Sequence, residues 1–280
     1  MIHHQNSLRH EWTAFIGFFE RQINLYKRYW LWEVVWLVYN IVSVLSIGYL
    51  ASGLGTAHTA QARASLERTQ LYLLVGAVLW GYLSLVFFEI ASAVTWERWE
   101  GTIEYTFMAP IRRITHLLGV CSFGVVYGLV RTVIVLVVVT FAFHLNLTHA
   151  NLASAGAIIL VSTLPLIGLG ILSAILPLLS PEKGEQMTVA IQGVLLLVSG
   201  VYYPISVLPR VLQDVGILSP LTGTLSGMRD ALLNGASISA LGTTLWHLLL
   251  MGIVLIVLGI VLFQRAEQRA KRLGLLKRNG

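Results

Sequence analysis

The sequence predicts an all-α integral membrane protein: six transmembrane helices, an N-terminal amphipathic interface helix and an outer-leaflet re-entrant helical hairpin before the last span. Three observations predict it: long apolar runs, a one-sided distribution of Lys and Arg, and one segment that is apolar yet crowded with Pro and Gly. Composition sets the solvent. With 56% hydrophobic and 11% charged residues among 280, the chain has too little polar surface to keep a domain of this size dissolved in water. Hydrocarbon offers no partner for a free N–H or C=O, so each apolar run must satisfy its backbone internally as a helix. No run shows the alternating pattern of a barrel strand.

In residues 1–30, Leu8, Trp12, Phe15, Ile16, Phe19, Ile23 and Tyr26 recur at spacings of three and four, while Arg9, Glu20, Arg21, Asn24 and Lys27 occupy much of the other face. That pattern predicts a helix lying in the membrane interface, the alternative being an irregular tail. Tyr26, Tyr29 and Trp30 belong at headgroup depth in either case. Charges at Arg9, Glu11, Glu20, Arg21, Lys27 and Arg28 interrupt the apolar core of a cleaved leader, so the N-terminus is expected to be retained in the cytoplasm.

A span needs about 20 apolar residues to cross roughly 30 Å of hydrocarbon. Leu31–Ala51, Leu71–Ala93, Leu117–Phe143, Leu152–Leu179 and Leu241–Phe263 meet that need, and Met187–Tyr203 is a shorter sixth run. With the N-terminus inside, the inner segments hold Arg9, Arg21, Lys27, Arg28, Arg98, Arg112, Arg113, Lys183, Arg265, Arg269, Lys271, Arg272, Lys277 and Arg278. The outer segments hold Arg63, Arg68, Arg210 and Arg229. Fourteen of the 19 basic residues against four predict six spans with both termini cytoplasmic under the positive-inside rule.

The segment 204–240 carries Pro204, Pro209 and Pro220 with Gly216, Gly223, Gly227 and Gly235, set among Val207, Leu208, Val211, Leu212, Ile217 and Leu218. It is too apolar for a solvated loop and too broken for a span. Two short helices that dip into the outer leaflet and return satisfy both facts. The whole chain, 1–280, then reads as one transmembrane domain: interface helix 1–30, spans one to five within 31–203 with an inner connection at 94–116, the re-entrant segment 204–240, span six at 241–263, and a basic cytoplasmic tail 264–280.

Several function classes fall away. The net charge of +6 sits in short segments flanking apolar runs, so it reads as topology and no nucleic-acid partner is expected. Cys121 stands alone, which excludes an internal disulfide, and no Cys/His array has metal spacing. No cofactor is expected in this chain. There is no G-x-x-x-x-G-K-[ST] phosphate loop and no clustered nucleophile or acid/base group, so catalysis is not expected and any ATP chemistry belongs to another polypeptide.

The inner connection reads Trp96-Glu97-Arg98-Trp99-Glu100-Gly101-Thr102-Ile103-Glu104-Tyr105-Thr106-Phe107-Met108-Ala109-Pro110-Ile111-Arg112-Arg113. A short charged helix, a Gly-Thr break and a second turn stopped by Pro110 make a compact knob, which either plugs into a partner's groove or is an ordinary solvated connection. Within the spans, Arg131 lies near the middle of the third, where a charge costs at least about 2.5–3.5 kcal/mol. Two readings stand for it: a pathway residue that meets an anionic group, or a structural arginine that ties helices together or meets backbone carbonyls. Glu89 and Glu33 are its candidate partners, reached through helix tilt or a water. Trp32, Trp36 and Tyr39 share one face of the first span, as an aromatic wall for sugar rings or flat amphiphiles or as interfacial anchors and packing. Asn40 and His247 read as interhelical hydrogen bonds.

Glu97-Arg98-x-x-Gly101-Thr102-x-Glu104, followed by Pro110 and Gly119, resembles the signature of the ABC-2 type transporter permeases. A second block resembles the same family's ending before its last span: Gly200-Val201-Tyr202-Tyr203-Pro204, Leu208-Pro209, Ser219-Pro220-Leu221-Thr222, Arg229-Asp230 and Leu233-Asn234-Gly235. The resemblance implies a half-transporter in a cell membrane, such as the bacterial inner membrane. Two permease subunits, identical or related, would face each other around a pathway, and two cytosolic ABC ATPase subunits carrying ATP and Mg would engage the knob. On that reading Glu97, Arg98, Glu100, Thr102, Glu104 and Arg112 are coupling contacts; Tyr105 and Thr106 depart from the family's usual aliphatic residue. The short length is similar to permeases for drug-like, polysaccharide or lipid-linked cargo. A secondary transporter or channel is the alternative, and would favour paired broken helices in two related halves where this chain has one.

Overall fold

The computed structural model describes residues 3–53, 59–145 and 150–276, and every regular element within them is helical. Among the described residues, five helices are long and apolar enough to cross a membrane: α2 (Trp30–Gly53), α3 (Ala60–Ala91), α6 (Arg113–Phe143), α7 (Leu152–Leu179) and α11 (Gly242–Arg272). Lys277 and Arg278 of the predicted basic tail lie outside the described residues.

The sixth predicted span differs. α8 (Gly184–Val198) has 15 residues and so reaches only about 22 Å, short of the roughly 30 Å of a bilayer core. The apolar run to Tyr203 merged this helix with the turn behind it. Gly200, at φ +70°, takes the left-handed conformation that ends helices. α8 still leads the chain along the bundle from the Pro177 end of α7: Ser173 Oγ donates to Thr188 Oγ1 at 3.4 Å, and Gln192 Nε2 donates to the Ser84 carbonyl at 3.3 Å.

The broken segment forms two short helices, α9 (Arg210–Ile217) and α10 (Pro220–Leu233), after a 3₁₀ turn at Ile205–Val207. Pro220 opens α10, where its fixed φ suits the first turn and its missing N–H costs nothing. Tyr203 and Pro204 lead into this segment, with the Tyr203 hydroxyl donating to the Leu197 carbonyl at 2.6 Å, and Pro209 precedes α9. Arg229 pins the assembly: it donates to the carbonyls of Gly200 at 3.0 Å and Val201 at 2.6 Å, and its guanidinium stacks 3.5 Å from the Tyr72 ring centroid.

α1 (His3–Arg28) is the single N-terminal helix the periodicity predicts. Its inner face is already occupied by protein. Phe18 and Phe15 press on Gly119 of α6 so closely that an added Cβ there would meet Phe18 Cβ at 2.7 Å. Tyr26 packs edge-on against Phe123 and Tyr127, while Leu8 and Trp12 stay exposed on the other side.

Two cores hold the bundle. The larger joins α3, α7, α10, α11 and the beginning of α6; the smaller joins Val44 of α2 to Leu74, Ala77, Val135 and Val139. α7 and α11 approach through small residues: a Cβ on Gly168 would lie 2.5 Å from Leu255 Cβ, and one on Gly252 would lie 2.6 Å from Leu164 Cβ. In lipid, where burial drives little between helices, such backbone proximity is a main source of packing energy.

Candidate coupling site

The 94–116 connection is the knob the sequence predicts. α4 (Ala93–Trp99) continues α3 beyond a bend at Ser92, and α5 (Ile103–Met108) follows a turn at Gly101, whose φ of +72° suits glycine. In α5, Ile103, Thr106 and Phe107 face inward while Glu104, Tyr105 and Met108 face out. The knob lies at the bundle end where α1, the last turn of α7 and the stretch of α11 beyond Phe263 also meet.

Glu97 is only 3% exposed. Its Oε1 accepts from Arg21 Nη1 at 3.0 Å and lies 2.8 Å from His116 Nε2, and Arg21 Nη2 donates to Thr102 Oγ1 at 2.7 Å. The imidazole Nε2 approaches the carboxylate without hydrogen-bond alignment. Burial pushes the Glu97 carboxyl up, but His116 and Arg21 outweigh it and hold the group below its ordinary range. α1 is further tied to the knob's end, because the Glu11 carboxylate accepts from the Arg112 backbone N–H at 3.3 Å and from the Thr115 hydroxyl.

Arg98, 4% exposed, points the opposite way. Its Nη2 donates to the carbonyls of Leu178, in the last turn of α7, at 3.0 Å and of Leu275 at 2.8 Å. Carbonyls in a helix's last turn lack intrahelical donors and carry the negative end of its dipole, so a guanidinium fits there. Burial pulls the Arg98 pKa down from its ordinary value. Arg113 makes a third fastening: Nε to Glu267 Oε1 at 2.8 Å, Nη1 to the Thr106 carbonyl at 2.6 Å, and Nη2 to the Phe107 carbonyl. Lys271 Nζ reaches the same Glu267 oxygen at 2.8 Å.

The six predicted coupling residues therefore divide. Glu104 and Arg112 are exposed, Glu100 and Thr102 are partly exposed, and Glu97 and Arg98 turn inward as anchors. The outward face is instead dominated by Trp99, Tyr105 and Met108, at 79%, 80% and 80% exposure. Sequence reasoning missed these three, along with the anchoring roles of Arg21, Arg113, His116 and Glu267. The three-and-four spacing of Ile103, Thr106 and Phe107 was the available signal for which side of α5 faces out.

Among the candidate pathway residues, Arg131 donates from Nη2 to the Trp36 carbonyl at 2.5 Å. It forms no ion pair with Glu33 or Glu89 among the described residues: the Glu33 carboxylate accepts from the Tyr127 hydroxyl, and the Glu89 side chain packs over Gly124. Trp32, Trp36 and Tyr39 do form a continuous wall, edge to face with centroids 6.1 Å and 5.8 Å apart, exposed along α2. Asn40 fits beside Gly81, its amide 3.1 Å from where a Cβ would stand.

Comparison with curated proteins finds no match. The family model for the ABC-2 type transporter matches residues 13–233, which takes in most of α1, the knob and the broken segment through α10. That coverage extends over most of the chain and takes in the first motif block and the second as far as Leu233, so this protein belongs to the ABC-2 type transporter family.

Proposed function

We propose that this membrane permease is one subunit of an ATP-binding-cassette exporter, paired with a second permease subunit and driven by two separate cytosolic ATPase subunits that supply ATP and Mg. The single observation that supports the reading is the knob's division of labour. Its inner face is held by buried charges and backbone carbonyls, while Trp99, Tyr105 and Met108 stand in the open beside Glu104 and Arg112. Large apolar side chains grouped at a charged surface favour a protein partner. A rigid mount is what a part needs if it is to pass a rigid-body displacement from one protein to another.

On this reading the knob end faces the cytoplasm of a bacterial inner or plasma membrane, both termini lie there, and α9 and α10 dip into the outer leaflet. The cargo is amphiphilic, lipid-linked, polysaccharide or drug-like, to which the aromatic wall of Trp32, Trp36 and Tyr39 offers flat apolar faces. The chain itself hydrolyses nothing. The test is co-expression with the partner ATPase: wild-type permease should carry the ATPase through purification, and Glu104→Arg or Tyr105→Asp should lose it while the permease itself remains folded. Retention of the ATPase by both variants would overturn the assignment of the knob.

A further inference from the structure

Beyond Phe263, α11 leaves its apolar span and continues to Arg272 with Arg265, Glu267, Arg269, Lys271 and Arg272. A merely solvated tail would bury none of its faces. Here Ala266, Glu267 and Ala270 are buried, the two alanines in the same large core as Val94, Ile103 and Phe107 of the knob. Two arginines complete the joint. Arg113 binds the Glu267 carboxylate together with the Thr106 and Phe107 carbonyls, and Arg98 binds the Leu178 and Leu275 carbonyls. Each guanidinium holds two segments at once, so separating those segments would strand a buried charge. The partition of the cores is a second, independent observation. The knob, α7, α10 and α11 share the larger one, while α2 packs with other parts of α3 and α6 in the smaller one.

We propose that the α11 extension is a strut of the coupling apparatus, with Arg98, Arg113 and Glu267 as positioning residues that make the knob, the end of α7 and α11 one rigid body. A displacement of the knob is then delivered to the α7–α11 pair and appears as movement relative to α2. The proposal rests on the ATPase docking at the knob. It extends the apparatus past Leu233, where the family match ends.

The test measures spin-label distances in a Cys121→Ser background, in the ATPase-bound complex before and after trapping with ATP, Mg and vanadate. Labels replace Pro110 on the knob, Gln268 on the strut and Val35 on α2, all exposed positions. Trapping should change the Pro110–Val35 distance by several ångströms while the Pro110–Gln268 distance stays within the labels' own spread. Glu267→Gln, which keeps shape and removes charge, should broaden the Pro110–Gln268 distribution without dissociating the ATPase. The strut is overturned if Pro110–Gln268 changes as far as Pro110–Val35, if neither distance changes, or if Glu267→Gln leaves the distribution as it was. Absence of any ATPase complex, scored separately by co-purification, sinks the docking reading and the strut with it.

Discussion

Arg21 Nη1 meets Glu97 Oε1 at 3.0 Å across 76 positions of sequence, joining the N-terminal helix to the centre of the knob. The carboxylate is buried and shared with His116, whereas the Arg21 side chain keeps 26% of its surface exposed. Such a pair is worth little as a net source of stability, yet breaking it leaves a charge buried without its partner.

Glu97→Gln should lower stability at neutral pH by about 2 kcal/mol, less than for a fully buried broken pair because the charge it leaves behind, Arg21, is partly solvated. The pH dependence follows from the depressed Glu97 pKa. A carboxyl held below its unfolded value stabilises the fold above the ordinary carboxylate range, and loses that contribution as pH falls through the folded value. Thermal unfolding in detergent should show wild type ahead at pH 7 and the two proteins converging in acid. A gap that persists undiminished at the lowest pH would contradict the ionic role.

At the other end of the bundle, Arg229 replaces the hydrogen bonds that the chain forgoes where α8 stops at Gly200. Arg229→Ala should destabilise by roughly 2–3 kcal/mol, since it strands two carbonyls and opens a gap over Tyr72. Limited proteolysis between α8 and α9 should accelerate in parallel. An unchanged cleavage rate would mean that the Ser199–Ser219 hydroxyl pair suffices to hold the turn.

Gly168→Val tests the α7–α11 contact. Even a Cβ at this position would stand 2.5 Å from Leu255 Cβ and 2.6 Å from its carbonyl carbon. Two backbones must separate to admit it, at a cost of about 2 kcal/mol or more. Gly193→Val, on the open face of α8 with nothing near its Cβ position, should leave the unfolding midpoint within error. Equal behaviour of the two variants would show that α7 and α11 are not closely packed.

For Arg131, the bond to the Trp36 carbonyl favours the structural of the two readings drawn from sequence. Arg131→Leu should lower stability by roughly 1 kcal/mol, as for other interhelical hydrogen bonds in membranes. It should leave ATPase association intact. If stability holds and cargo transport alone falls, the pathway role is the correct one.

Much of the architecture was legible in the sequence. Apolar length located the five long helices, Gly101 and Pro110 bounded the second helix of the knob, and the prolines of 204–240 announced two short helices. At α8 the helix ends before the predicted run does, for a local reason: Val198–Tyr203 is as apolar as the helix before it, and only the positive φ of Gly200 separates them. The site was legible in outline. Glu97 and Arg98 were found by motif, and the resemblance made them contacts for a partner, yet both are buried, because charge alone does not reveal whether a partner waits inside.

Sequence by itself determined that the chain is helical, where its long apolar helices and short broken ones lie, and which family it joins. These properties are local, since a helix in lipid must satisfy its own backbone whatever its neighbours are. Tertiary structure alone decided that Arg98 meets a carbonyl 177 residues away, that Arg113 takes Glu267, and that Arg131 meets a carbonyl in place of a carboxylate. Those choices depend on how each helix is rotated and which helix lies beside it, and contacts between residues distant in the chain set both.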